Sequence, residues 1–325
     1  MHVLVCGGAG YVGSHTAYAL ALAGHEVSVL DNLSSGHREA VRWGRLIEAD
    51  LLHPHSLDAA FQQPVDAVMH FCARSLVAES VAQPYDYYDH NVVGTLHLLR
   101  AMRRHGVDRL VFSSTAAIFG HPHSSRIDED HPKTPINPYG ASKLMVERML
   151  ADAAGAYGLR SVSLRYFNAA GAAAEAGIGE SHAPETHLIP NVLRAALGVG
   201  PPLRVYGDDY STTDGTCIRD YVHVLDLADA HLRALTAMDA APSACARTFN
   251  LGNGSGFSVL EVIESARRIS NRPIAFEFAP RRAGDPAVLV AASQRALDQL
   301  GWRPRFERLD DIVASAWRWH CDAAY

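Results

Sequence analysis

Cysteine is scarce. Cys6, Cys72, Cys217, Cys245 and Cys321 lie far apart, their total is odd, and no two form a C-x-x-C pair. Such spacing signals neither a disulfide framework nor a thiolate zinc site, so no metal is expected and a reducing cytoplasm fits. Charge of one sign is lacking too. The 29 basic and 35 acidic side chains leave a net charge of -6 without a basic stripe, which argues against a nucleic-acid partner. No apolar run reaches the roughly 20 residues that cross a bilayer. Residues 1–5 run into a glycine cluster without the basic and apolar regions of a signal peptide. What is present is 325 residues, 48% hydrophobic and 20% charged, enough to bury a full core in one large or two modest domains.

Short apolar runs alternate with helical patterns through the first half. Strands are expected at 2–6, 26–30, 45–48, 66–71, 109–113 and 160–166, separated by stretches long enough for crossover helices. Six parallel strands linked this way make an α/β, doubly wound parallel (Rossmann) sheet. From about Gly171 glycine and proline punctuate the chain, so a smaller C-terminal substrate-binding α/β domain is expected over 171–325 after a Rossmann domain over 1–170. A helical pattern at 226–237 and an apolar run at 246–251 suggest a return to the first domain over about 222–251. The alanine-rich 169–176 reads as a flexible loop.

The first strand runs into Gly7-Gly8-Ala9-Gly10-Tyr11-Val12-Gly13, followed by a helical stretch to Ala23. Glycines permit a tight turn, and a helix N-terminus offers free N–H groups to a pyrophosphate. A glycine triplet alone is weak. Here the next strand ends at Asp31, where an acid binds a ribose diol and repels a 2'-phosphate, so NAD is favoured over NADP.

Tyr139 and Lys143 stand four apart at the start of a helical pattern and share one face. A tyrosine with a pKa of about 10 becomes a base near neutrality only with roughly 4 kcal/mol of help. A lysine charge about 5 Å away supplies on the order of 3 kcal/mol at an effective dielectric of ~20. A cationic nicotinamide supplies the rest. The hydroxyl cluster Ser113-Ser114-Thr115 closes a strand whose carboxyl end faces the ligand crevice. An ST-type turn is an equal reading for Ser113 and Ser114; Thr115 is read as contacting the reacting group.

These stretches together resemble the UDP-glucose 4-epimerases of the extended short-chain dehydrogenase/reductase family. The likeness runs through GGAGYVGSH at 7–15, Asp31-Asn32-Leu33, Asp50-Leu51, Glu79-Ser80, FSSTAAIFG at 112–120 and NPYGASKLMVE at 137–147. It continues through YFNAAG at 166–171, DGTCIRDYVHVLDLA at 214–228 and RRAGD at 281–285. The resemblance implies a UDP-sugar substrate, a bound NAD and a homodimer. It implies Tyr139 as base, Lys143 as its electrostatic partner and ribose anchor, and Thr115 beside the sugar 4-OH. Around the cofactor it puts Gly7, Gly10, Tyr11, Val12, Gly13, Asp31, Asn32, Asp50, Leu51, Phe71 and Lys143, with Phe167 near the nicotinamide. On the substrate side it puts Asn168, Leu188, Tyr206, Arg219, Arg282 and Asp285, for the last of which an ion pair with Arg281 or Arg282 competes. Forked arginine donors suit a diphosphate.

Ser75 and His90 depart from the family pattern, and Leu289 stands at a position implied to gate the sugar pocket, between the aromatic that favours plain hexoses and the smaller residues that admit N-acetylated ones. A 4,6-dehydratase of the same superfamily would carry an Asp-Glu pair after the threonine, where this chain has Ala116-Ala117. Another UDP-sugar 4-epimerase, a sugar-nucleotide dehydrogenase releasing NADH, or a non-catalytic dinucleotide sensor are the other readings; sensors lose the tyrosine or lysine kept here.

Overall fold

The computed structural model describes residues 1–239, 244–282 and 285–325. The strands are β1 (His2–Cys6), β2 (Glu26–Asp31), β3 (Arg45–Glu48), β4 (Ala67–His70), β5 (Arg109–Thr115), β6 (Arg160–Tyr166) and β7 (Asn168–Ala170). Then come β8 (Leu203–Tyr206), β9 (Ile218–Arg219), β10 (Tyr221–His223), β11 (Cys245–Leu251), β12 (Phe257–Ser258), β13 (Phe276–Ala279) and β14 (Val288–Leu289). The helices are α1 (Tyr11–Leu22), α2 (Val77–Ala82), α3 (Pro84–Tyr87), α4 (Gly94–Arg104), α5 (Pro138–Tyr157), α6 (Leu188–Leu197), α7 (Val224–Asp239), α8 (Val259–Ser270), α9 (Gln294–Leu300) and α10 (Leu309–Cys321).

A seven-stranded parallel sheet in the order β11-β6-β5-β4-β1-β2-β3 forms the centre. Both faces are covered, so β1 is buried throughout and divides its side chains by a period of two. Val3 and Val5 pack with Ala17 and Leu20 of α1 and with Leu227, Ala230 and Ala234 of α7. Leu4 and Cys6 face Leu98 and Met102 of α4 and Val146 and Leu150 of α5. A third core joins α6, α8 and α10 to β8. Beyond the six strands expected in the first part of the chain, the run at 246–251, expected to return to that part, is β11, which pairs with β6 from Cys245↔Arg160 to Leu251↔Tyr166 and makes a seventh. The order reverses at β1, between β2 and β4, and there a doubly wound sheet opens a crevice at its carboxyl edge.

The alanine-rich 169–176 is not a free loop. It forms β7, which pairs with β10, and a short 3-10 turn, Ala174–Ala176. Ala170, Ala172 and Ala173 are buried, and small side chains are what the approach of His223 and Ser315 to Gly171 permits.

Candidate active site

Gly7 leaves β1 at a φ of 81°, and a Cβ there would stand 2.7 Å from the Cys72 nitrogen. A Cβ on Gly13 would stand 2.1 Å from the Gly7 oxygen. Only glycine folds this turn so tightly. Gly10 caps α1 without a side-chain bond, which leaves the first-turn N–H groups of Tyr11 and Val12 to an anion. Asp31 closes β2 next door and is buried. Its Oδ2 accepts from the Ala9 N–H at 3.0 Å and its Oδ1 from the Leu33 N–H at 2.9 Å. Burial pushes its carboxyl up and those two bonds draw it back. Asn32 donates to Asp50 Oδ2 at 2.9 Å, Leu51 is buried beyond it, and Phe71 follows β4 against the glycine turn. A tight glycine turn, an uncapped helix end and a buried carboxylate at the neighbouring strand end form a cradle that fits a dinucleotide.

Asn137 caps α5 by accepting from the Gly140 N–H at 2.8 Å, and Pro138 opens the helix. Gly140 has no room for a side chain: a Cβ would lie 2.4 Å from the Ala117 oxygen. That contact brings the start of α5, and Tyr139, against the turn that follows β5. The turn is held by Thr115, whose Oγ1 accepts from the Ala117 N–H at 3.1 Å. The ST-type turn expected of Ser113 or Ser114 is therefore made by Thr115, whose hydroxyl proton stays free to donate. Ser113 instead pairs with the Tyr166 hydroxyl, and Ser114 donates to Glu147 Oε1 at 2.6 Å.

Lys143 is buried and donates to the Ser113 carbonyl at 2.8 Å. Burial lowers its pKa to about 7, against the opposing pull of Cys72 and Glu147. Burial pushes the Tyr139 phenol up, and the Thr115 hydroxyl offsets part of that. Burial thus favours the neutral form of both groups, and a phenolate here needs compensating positive charge. Tyr87, fully buried, sets its ring edge-on to Tyr139 at 6.5 Å between centroids.

A second group of residues gathers on β9 and β14, where Leu289 pairs with Arg219. Arg219 donates to the Ile218 and Pro286 carbonyls at 2.9 Å and lies 3.6 Å from Asp285. The ion pair expected of Asp285 with Arg281 or Arg282 is thus made with Arg219; Arg281 pairs with Asp209 at 2.5 Å. Arg282 lies over the Tyr206 ring, 4.1 Å from its centroid. Ala283 and Gly284 of the 281–285 motif are outside the described residues. Asn168 opens β7, and Leu188 opens α6 against the third core. The two groups meet at a small cluster, where Phe167 and Leu289 both pack against Ala116, Ile118, Phe119 and Ile127, directly after Thr115.

Ser75 is exposed, and His90 bonds the Asp86 carbonyl at 2.8 Å. The buried amide beside it is Asn91, which accepts from the Arg74 N–H and donates to the Arg74 carbonyl and Ser142. Sequence reasoning missed this clamp, as it missed Asp220. That carboxylate accepts from the N–H groups of Asn253, Gly254 and Ala291 beside Arg219. Partners so distant in sequence leave no local signal.

The NAD dependent epimerase/dehydratase family matches residues 3–252. The UDP-glucose 4-epimerase of Lacticaseibacillus casei is 48% identical over 322 residues, covering 98% of this chain and 97% of its own. That of Halalkalibacterium halodurans is 50% identical over 321 residues, 98% and 96% of the two chains. The crystal structure of UDP-glucose 4-epimerase from Brucella ovis in complex with NAD superposes with a TM-score of 0.94 at 47% identity, covering 97% of each chain. The chain belongs to the UDP-glucose 4-epimerase family. The family is NAD dependent, and in this epimerase the glycine turn, the uncapped start of α1 and Asp31 fit that cofactor.

Proposed function

We propose that the protein interconverts UDP-galactose and UDP-glucose by inverting C4 of the sugar through a transient 4-keto intermediate. The observation that carries this reading is the meeting of Tyr139, Lys143 and Thr115 at the carboxyl edge of the sheet, beside the dinucleotide cradle. NAD, when bound, would supply a hydride acceptor that is also the donor, and the positive charge of its oxidised ring. Tyr139 removes the 4-OH proton, holds it on Oη while C4 is a ketone, and returns it after the sugar has turned over. Lys143, fixed to the Ser113 carbonyl, supplies charge to the phenolate and donors to the cofactor ribose. Thr115 accepts from Ala117 and so donates toward the sugar oxygen.

Around the cofactor, Gly7, Gly10, Tyr11, Val12 and Gly13 would take the pyrophosphate, Asp31 and Asn32 the adenosine end, and Asp50, Leu51, Phe71 and Phe167 the remaining walls. For the substrate, Asn168, Arg219 and Arg282 would hold the diphosphate, Tyr206 the uracil on the ring face away from Arg282, and Asp285 the ribose, with Leu188 nearby. Leu289, packed with Phe167 against the cluster after Thr115, would wall the sugar pocket. A homodimer fits the apolar side chains left exposed on neighbouring elements, Val77 and Val81 on α2, Tyr85 on α3, Leu96 on α4 and Met145 on α5. On this reading the enzyme serves galactose metabolism in the cytoplasm.

The test is to incubate the protein with UDP-galactose without reductant and follow UDP-glucose and nicotinamide absorbance together. Conversion to a stable mixture without NADH release is expected. Release of NADH with each turnover would make it a dehydrogenase, and no conversion of UDP-galactose or UDP-GlcNAc would overturn the epimerase reading.

A further inference from the structure

Between β7 and α6 the chain carries Glu180, His182, Glu185 and His187, and it folds so that one donor atom of each lies within 4.8 Å of all the others. The glutamate side chains are sunk, 4% and 3% exposed, while the imidazoles stand at the rim. Two carboxylates buried side by side repel each other and need positive charge. Among the described residues no lysine or arginine pairs with either; their ion-pair partners are the two imidazoles.

The donor atoms converge. His182 Nδ1 lies 3.5 Å from Glu180 Oε1 and 3.5 Å from Glu185 Oε2, and His187 Nδ1 bonds Glu180 Oε1. His182 Nδ1 is buried yet has no hydrogen-bond partner. Glu185 Oε1 accepts from the Thr186 and His187 N–H groups at 2.8 Å, which fixes the carboxylate with Oε2 turned to His182. The backbone is held from outside: Trp319 donates to the Glu180 carbonyl at 2.8 Å, Tyr325 to the Gly179 carbonyl at 3.2 Å, and His37 bonds the Ser181 carbonyl. The scaffold is therefore set without the ligand.

We propose that these four side chains bind one divalent transition-metal ion, zinc by preference. Two imidazoles and two carboxylates are a zinc donor set, and with bonds of about 2.0–2.2 Å a tetrahedron places its donors roughly 3.3–3.6 Å apart. The two 3.5 Å separations of His182 already meet that spacing, while His187 Nδ1 must exchange its bond to Glu180 Oε1 for the ion. Imidazole donors disfavour calcium and magnesium. Two neutral imidazoles and two carboxylates balance a dication, so the ion takes over from the imidazoles the positive charge that faces the sunk glutamates. Its role is structural. His182 sets its ring edge-on to Tyr11, the first residue of α1, and Leu188 follows His187 directly at the start of α6. The ion ties the phosphate-binding helix of one part of the molecule to the first helix of the other, whichever sugar is turned over.

The sequence alone leads to the opposite expectation, because it holds no thiolate pattern and the E-x-H-x-x-E-x-H spacing is not a common zinc motif. The test measures metal per chain by plasma mass spectrometry in protein produced with zinc and then desalted. About one zinc per chain is expected in the wild type and less than a tenth of that in a His182→Ala/His187→Ala variant. X-ray absorption should show nitrogen and oxygen neighbours and no sulfur. In the wild type, chelator should lower the thermal midpoint by roughly 5 °C and added zinc should restore it; this readout stands even where the variant fails to fold. Wild type that stays zinc-free, equal zinc in a folded variant, sulfur ligation, or a midpoint indifferent to chelator and zinc would each overturn the site.

Discussion

At the scale of the residue, Tyr139 and Lys143 are two groups whose pKa values burial drives apart, each toward its neutral form. The phenol rises and the lysine falls to about 7, so the phenolate that takes the sugar proton forms only where added positive charge offsets that burial. Tyr139→Phe removes the proton carrier, and positioned acid–base groups contribute about 10²–10⁴-fold. A loss of kcat in that range, with KM for UDP-galactose changed little, is expected from steady-state kinetics. Lys143→Met removes a charge-bearing group that the interior disfavours. A lysine lowered in the folded state takes its proton more readily when unfolded. Wild-type stability from this group therefore rises with pH between about 7 and the unfolded value of about 10.4, and levels off below about 7. Thermal midpoints of the two proteins should accordingly draw together in the wild type's favour from pH 7 to pH 10, while the variant stays inactive. Parallel profiles would mean that Lys143 is not depressed.

The element that decides the site is α5. Its start is brought to Thr115 by the missing side chain of Gly140, and one turn beyond Lys143 it is bolted to the sheet by Glu147. Arg165 of β6 grips that carboxylate with Nε at 2.9 Å and Nη2 at 2.6 Å, and Ser114 of β5 adds a third bond. Arg165 is 2% exposed, so Glu147→Ala would leave a buried guanidinium unpaired and cost about 3–5 kcal/mol, readable as a lower urea midpoint. Gly140→Ala acts differently. It must move α5 off the Ala117 carbonyl, so kcat should fall by more than tenfold, a misplacement effect of the kind that reaches about 10²-fold for 1 Å, while secondary structure persists by circular dichroism. An unaltered kcat would show that the close approach does not position Tyr139.

Across the whole molecule, four buried histidines make the fold sensitive to acid. Burial lowers His15 and His231 to about 4 and His70 and His223 to about 3. Each binds a proton on unfolding once the pH drops below about 6.5, so stability falls by up to about 1.4 kcal/mol per pH unit for each of them until the folded pKa is reached. The buried carboxyls of Asp31, Asp220 and Asp226, raised by burial, act in the opposite sense. Comparing His231→Gln with the wild type isolates one histidine. Denaturation at pH 5–6.5 should show the shallower slope in the variant, and equal slopes would contradict the assignment.

The sequence by itself determined the parallel sheet, the glycine turn with Asp31, and the Tyr139 and Lys143 pair. Each is written in contiguous residues whose spacing obeys the period of a strand or a helix. The strand over 160–166 begins and ends where the pattern puts it. Tertiary structure alone decided the rest, because those choices lie between residues far apart in the chain. It turned the alanine-rich 169–176 into buried strand and turn, and made Thr115 rather than its serine neighbours the cap of the following turn. It also gave Asp285 to Arg219 instead of the adjacent arginines, and it gathered Glu180, His182, Glu185 and His187 around one point. The physical reason is the same in every case. A local pattern fixes which face of an element is apolar, whereas the partner of a buried charge or an edge strand is whatever the packed chain brings within a few ångströms.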